Sequence, residues 1–364
     1  MSRLKSLKYK ENWPQARRRM EAWWRGRIID RPPIMITAPR DKSFEEQHEE
    51  TEVSPEDYFT KPEIVLTRMK KRIKNTYWAG EAFPVMRPVP GKIVAILASY
   101  LGSPRKYPNK ETTWSEPIIE SWEEWDMEQL SFNSKNELWK ISRKLLKKGS
   151  KDAKNKYYIG IPDLNGPSEI VSRLRGTDRF LKDVIRNPNY IKKAIRRVNY
   201  TWFRYWQACH GIVHQYVGGY VFWMGIWSDT PATDLQSDVS CMISPKSFKK
   251  IVLPAIKKQI RWIPRTIYHL DGPDAIKHLD SLLSIDELDG IQWVPGAGAS
   301  PASSWISLLK KIQEAGKLVY ISAKKGEVGK LLSQLNPKGL LIKTECDSPK
   351  EADDMIESIK RRYG

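Results

Sequence analysis

The last third of the chain constrains the fold most. Short apolar runs alternate there with longer segments of helical periodicity, and the connections between them are brief. The final three runs are Gly290-Ile291-Gln292-Trp293-Val294, Leu318-Val319-Tyr320-Ile321 and Gly339-Leu340-Leu341-Ile342-Lys343. Before them stand Tyr157-Tyr158-Ile159-Gly160-Ile161, Val221-Phe222-Trp223-Met224-Gly225-Ile226-Trp227 and Thr266-Ile267-Tyr268-His269-Leu270, with Pro33-Ile34-Met35-Ile36-Thr37 as an earlier candidate. Near-continuous apolar runs of this length fit strands buried on both faces. Ser244-Pro245 and Ser300-Pro301 read as helix starts, and Gly316 and Gly339 stand where a helix gives way to a strand. Regular alternation of this kind calls for a parallel sheet with crossover helices. The expected fold is α/β: a single (β/α)8 TIM barrel spanning 1–364, with N-terminal helices and irregular insertions over 1–150 and regular βα units over 157–364.

A chain of 364 residues, 40% of them hydrophobic, can bury a core of that size. No run approaches the ~20 apolar residues that span a bilayer, and residues 1–40 hold no apolar leader core. Cys209, Cys241 and Cys346 are too few and too scattered for a disulfide framework, so the expected compartment is the cytoplasm. The formal charge of +19 comes from 62 basic and 43 acidic residues. The basic residues run along the whole chain, with neither a glycine-aromatic RNA-binding signature nor zinc-finger spacing. A solvated basic surface, facing an anionic substrate or carrier, is expected rather than a nucleic-acid interface.

In a parallel barrel, chemistry gathers at the carboxyl ends of the strands. The polar residues expected there are Asp163, Asp229, His269, Asp271, Gln292, Trp293, Ser322, Glu345 and Cys346. His269 and Asp271 are the sharpest pair. Positions i and i+2 of a strand share a face, so an imidazole and a carboxylate project together, fit for a divalent metal or for acid/base work. Asp234, Gln236 and Asp238 alternate like the polar face of an extended segment, and Asp238 joins His269 and Asp271 as an acid/base candidate. Asp163, Gln292, Trp293 and Trp223 are the candidates for binding substrate. Cys346 follows the last strand, where its thiolate would complete a His/Asp/Cys zinc site with an open fourth position. His210 and His214 share a helix face, but Gly211 stands where a zinc-protease helix has glutamate, so aromatic packing is expected of them. Gly296-Ala297-Gly298-Ala299 is either an anion-binding turn or a plain tight turn.

These residues also resemble a known family. Asp238-Val239-Ser240, Met242-Ile243-Ser244-Pro245 with Phe248, Tyr268-His269-Leu270-Asp271-Gly272-Pro273 and Ile291-Gln292-Trp293-Val294-Pro295-Gly296-Ala297-Gly298 look like the uroporphyrinogen decarboxylase superfamily. Leu174-Arg175-Gly176-Thr177-Asp178, with Asp183 and Pro188, extends the likeness. The most similar branch is the one described as trimethylamine corrinoid protein-like.

The resemblance implies one of two chemistries. Decarboxylase members act on tetrapyrrole acetates without a cofactor, but Arg25-Gly26-Arg27 and Arg31-Pro32-Pro33 do not reproduce their arginine-rich loop. Methyltransferase members move a methyl group between methylcobalamin on a partner corrinoid protein and a thiol, with zinc held by a His-x-Cys pair and a later Cys. Carried over, His269 stands at the His, Asp271 replaces the first Cys, and Cys346 stands at the last. The expectation is a zinc-dependent, corrinoid-linked methyltransferase with a small methyl donor or acceptor, and homodimerisation of the kind the superfamily shows. The alternatives are a metal-independent decarboxylase or lyase using His269 and Asp271 as acid/base groups, and a non-enzymatic barrel that binds a ligand or partner.

Overall fold

The computed structural model describes residues 6–40, 53–89 and 95–363. In chain order the elements that frame the centre of the molecule are helix α1 (Trp13–Trp24), strand β1 (Ile34–Pro39), helix α2 (Pro62–Asn75) and strands β2 (Thr76–Gly80) and β3 (Val85–Met86). Helix α3 (Glu137–Ala153), strand β4 (Tyr158–Ile159) and helices α4 (Pro167–Arg175) and α5 (Pro188–Val213) follow. Then come β5 (Ala232–Gln236), α6 (Leu253–Trp262), β6 (Arg265–Asp271), β7 (Gly290–Val294), α7 (Ile306–Glu314), β8 (Leu318–Ser322), α8 (Val328–Gln334), β9 (Leu340–Glu345) and α9 (Pro349–Tyr363).

Seven strands form one sheet in the order β2-β1-β9-β8-β7-β6-β5, parallel throughout except where β2 runs against β1. The hydrogen-bonded ladder is open. β3 and β4 pair in parallel beside it, and the Ile161 N–H carries the pairing on to Val221 O at 3.1 Å. Among the described residues no helix is long and apolar enough to cross a membrane.

Register fixes which side chains meet. His269 lies opposite Gln236 on one side and Gln292 on the other, Gln292 lies opposite Tyr320, and Ser322 lies opposite Lys343. Partners in register share a face and alternate residues swap it. One face therefore carries Gln236, His269, Asp271, Gln292, Tyr320, Ser322 and Lys343. The other carries Leu270, Trp293, Ile321, Ile342, Thr344 and, one residue past β9, Cys346. Close packing holds the strands to this phase: a Cβ on Gly290 would come within 2.9 Å of Ile267 and 2.7 Å of Leu318.

The N-terminal helix closes the amino-terminal end of the sheet. Pro14 opens it, where its missing N–H costs nothing, and Trp13, Ala16, Met20, Trp23 and Trp24 form its buried stripe. Each indole finds an acceptor as it is buried: Trp13 on the Tyr158 hydroxyl (3.1 Å), Trp23 on Gly339 O (2.9 Å) and Trp24 on Trp227 O (3.0 Å). Beside it Arg31 and Glu81, both buried, form a two-pronged ion pair at 2.7 and 2.8 Å, and Glu81 also accepts the Ile34 N–H at 2.7 Å. These contacts set the start of β1 and give Arg31 a structural role.

Two expected strands are corrected. Val221–Trp227 does not join the central sheet; its ends form one short antiparallel pairing, Tyr220–Val221 with Trp227–Ser228, around Gly225 at φ +78°. The strand beside β6 is Ala232–Gln236, which the sequence shows only as an extended polar segment. Asp229 consequently sits at the amino end of the sheet, paired with Arg265 at 3.1 Å, and not among the strand-end residues of the site. Tyr157–Ile161 contributes only Tyr158–Ile159 to a ladder.

Candidate active site at the carboxyl ends of the strands

The residue at the centre is His269, on the inward face of β6. Its Nδ1 lies 2.7 Å from Gln292 Oε1 on the neighbouring strand. An amide oxygen only accepts, so this contact holds the proton on Nδ1 and leaves Nε2 with a free lone pair. The Trp223 ring stands edge-on to the imidazole, with centroids 5.2 Å apart and planes at 86°. That indole reaches the site from the irregular segment between the two short strands Tyr220–Val221 and Trp227–Ser228.

Around His269 the chain gathers carboxylates. Asp238, just past β5, and Asp271, two residues along β6, each offer an oxygen that lies, with a His269 ring nitrogen, in a cluster whose members are all within 4.8 Å of one another. Asp238 Oδ1 is buried without a hydrogen-bond partner. Burial, reinforced by the neighbouring Glu169, Asp163 and Asp271, pushes the Asp238 carboxyl up to about 8. Behind it, Asp163 Oδ1 accepts from Gln236 Nε2 (2.8 Å) and from the Asn165 N–H (2.8 Å). Burial raises the pKa of both Asp163 and Asp234, and Asp234 pushes Asp163 up further. The Trp223 indole N–H opposes the rise at Asp234, although its geometry completes no hydrogen bond.

A buried, under-neutralised group of acids around an imidazole with one free lone pair has two chemical uses. It can accept a divalent cation, or it can hold protons at neutral pH for delivery.

Of the residues singled out in the sequence, His269, Asp271 and Asp238 converge, and Asp163, Gln292 and Trp223 surround them. Two do not join. Trp293 is on the opposite face from Gln292; its ring is fully buried and packs edge-to-face on Trp305 with centroids 4.9 Å apart. Cys346 is also on the outward face and is absent from the His269 cluster. Its N–H bonds Thr37 O at 2.9 Å, and its buried thiol, raised by burial, is surrounded by the charges of Glu351, Lys325 and Asp347. The physical reason is parity: Lys343 faces inward with Ser322, so three positions later the thiol must face the helices. Asp238, and not Cys346, lies beside His269 and Asp271.

The remaining candidates fall elsewhere. His210 is buried among Trp206 and Tyr220, as aromatic packing requires, and His214 Nε2 meets Gly219 O at 2.9 Å. Gly296–Ala299 is an exposed turn beside Gly272. Ser322 and Glu345 end their strands on the inward face and are exposed. Two inward residues had no sequence motif to announce them, Arg87 just after β3 and Lys343 in β9. A lysine interrupting an apolar strand is a signal in itself, because burying an ammonium is costly.

No protein-family model and no curated protein matches the chain. Among solved structures, the fold is similar to that of a methyltransferase from Methanosarcina mazei, with a TM-score of 0.61 and 13% identity over 96% of this chain and 98% of that one. A likeness at that identity is one of fold.

Proposed function

We propose that this chain is a methyltransferase built as a closed eight-stranded barrel, with a divalent cation, zinc in the first instance, held by His269, Asp238 and Asp271. One observation carries the reading. Three donors from two adjacent strand ends lie within 4.8 Å of one another, and one of their oxygens, Asp238 Oδ1, is buried with no partner. The donor set fits such an ion, since zinc and the harder divalent metals accept imidazole and carboxylate together. The strand arrangement suits a barrel as well: apart from the antiparallel β2, every sheet strand runs parallel to its neighbours, and the parallel pair β3 and β4 would be the two staves missing from the ladder.

A bound divalent ion would lower the pKa of a thiol or polarise a methylated group. The chain's own residues set up the rest. Gln292 fixes the His269 tautomer and so leaves the Nε2 lone pair for an ion. Trp223 covers the imidazole edge and keeps bulk water from it. Asp163 and Asp234, both held toward the protonated form, offer a proton to a leaving group. The methyl carrier would be a corrinoid protein bearing methylcobalamin, and the formal charge of +19 favours an acidic partner of that kind.

The test is metal analysis of untagged protein grown in zinc-replete medium. About one equivalent per chain is expected, and less than about a tenth of an equivalent would sink the metal reading. Loss of methyl from methylcobalamin in the presence of a small thiol, abolished in Asp238→Ala, checks the reaction. A second reading rests on the Asp238 carboxyl, which retains a proton at neutral pH beside Asp271. Acid/base decarboxylation or lyase chemistry there would survive chelators.

A further inference from the structure

Opposite the acids, the inward face carries cations that the methyl-transfer site does not use. Register places Lys343 level with Ser322, and Tyr320 one layer below it on the same strand. Arg87 follows β3, its side-chain stem running over Gly160, where an added Cβ would come within 3.0 Å of it. Its Nη1 donates to Trp223 O at 2.6 Å, and the Tyr320 hydroxyl donates to Met224 O at 3.3 Å. The guanidinium and the Lys343 ammonium are half-buried and, among the described residues, neither makes an ion pair. Burial is the largest effect and lowers both pKa values; Arg87 lowers Lys343 further, and Arg72 adds to the lowering of both. The acids that bear on them, Asp163 for Arg87 and Glu345 for Lys343, attract at a distance without closing a contact.

Two like charges held together out of bulk water, each with spare donors, are costly to keep without a counter-ion. The same residue ties this pole to the acids: the Trp223 carbonyl holds Arg87, while the Trp223 ring stands 5.2 Å from His269. One tryptophan therefore spans the gap between the guanidinium and the imidazole.

We infer that Arg87 and Lys343 form an oxyanion-binding pole, and that the substrate is a small molecule with a carboxylate, phosphate or sulfonate at one end and its reacting group at the other, a few bonds away near His269. Guanidinium and ammonium donors suit any of these anions, and the guanidinium can grip one with two parallel N–H groups. The position of the reacting end rests on the proposed function; the anion pole does not.

Calorimetric titration of the full chain at low chloride tests this with butyrate, butyl phosphate and butane-1-sulfonate, and with butan-1-ol and butylammonium as controls. At least one anion is expected to bind saturably, in about the millimolar range set by one charged group on a short chain, and neither control should. Lys343→Met and Arg87→Met should each weaken that anion tenfold or more. Lys343→Met should also melt at or above the wild-type temperature, because it removes an uncompensated cation. Absence of saturable anion binding, equal binding of butylammonium, or a Lys343→Met variant that binds the anion as tightly as wild type would each overturn the inference. Anion binding that persists in a protein found to be metal-free would leave this pole standing and remove only the metal reading.

Discussion

At the scale of single residues, the chemistry of the His269 cluster turns on which of its atoms are free. Gln292 Oε1 keeps the proton on Nδ1, so this amide does the orienting that a carboxylate or backbone carbonyl does in many metal sites. Gln292→Met should therefore lower metal affinity by about 10–100-fold while leaving the fold intact, read by competition against a chromogenic chelator. An unchanged affinity would mean that the imidazole is positioned by packing alone. The sequence made His269 and Asp271 legible, because i and i+2 on an apolar strand can only point together. It also pointed to Asp238, though for acid/base work and not as a ligand. The place of Cys346 after the last strand and the family resemblance both point it toward the site, but neither fixes the phase of that strand. Lys343, an inward cation, sets that phase and turns the thiol outward.

At the scale of elements, polarity misled the strand assignment. Val221–Trp227 is more apolar than Ala232–Gln236, yet the latter is the sheet strand, its Asp234 and Gln236 buried with the site's other polar groups. The long runs of β6 to β9 were readable because both faces of those strands are largely apolar; β3 and β4 pair over only two residues each, too short for any periodicity to register. Gly316 and Gly339 did mark turns out of helices, each at φ +73°. The Arg31–Glu81 pair pins β1 to the end of β2. Glu81→Gln leaves the Arg31 charge buried and unmatched, so a loss of about 3–5 kcal/mol is expected in denaturant unfolding. Asp289 ties β7 to β6 by accepting the Thr266 N–H at 2.7 Å, and burial pushes its carboxyl up to about 6. The folded state then holds that proton more tightly than the unfolded chain does. Stability from this group is complete below about pH 4 and is lost as pH rises through about 6. Asp289→Asn keeps the acceptor and removes the titration. Its melting temperature should gain on wild type from about pH 4 to 7, and a pH-independent offset would contradict the assignment.

At the scale of the whole molecule, the two ends of the sheet do different work. The amino end is sealed by α1, whose tryptophans are buried and hydrogen-bonded, and this end carries stability. Trp23→Ala should cost about 3–5 kcal/mol, measured by denaturant unfolding, because it leaves a large cavity and removes the donor to Gly339 O. The carboxyl end is left polar, with acids on one side and, on the other, the cations of Arg87 and Lys343, which make no ion pair among the described residues. Stability and polarity are thus divided between the two ends of the same strands. The central claim is that a divalent ion binds among Asp238, His269 and Asp271, and X-ray anomalous scattering tests it most directly. Crystals of untagged protein grown with zinc, measured on either side of the zinc edge, should show one strong peak bridging these three side chains. A peak at Cys346, or none at the carboxyl ends of the strands, would contradict the account.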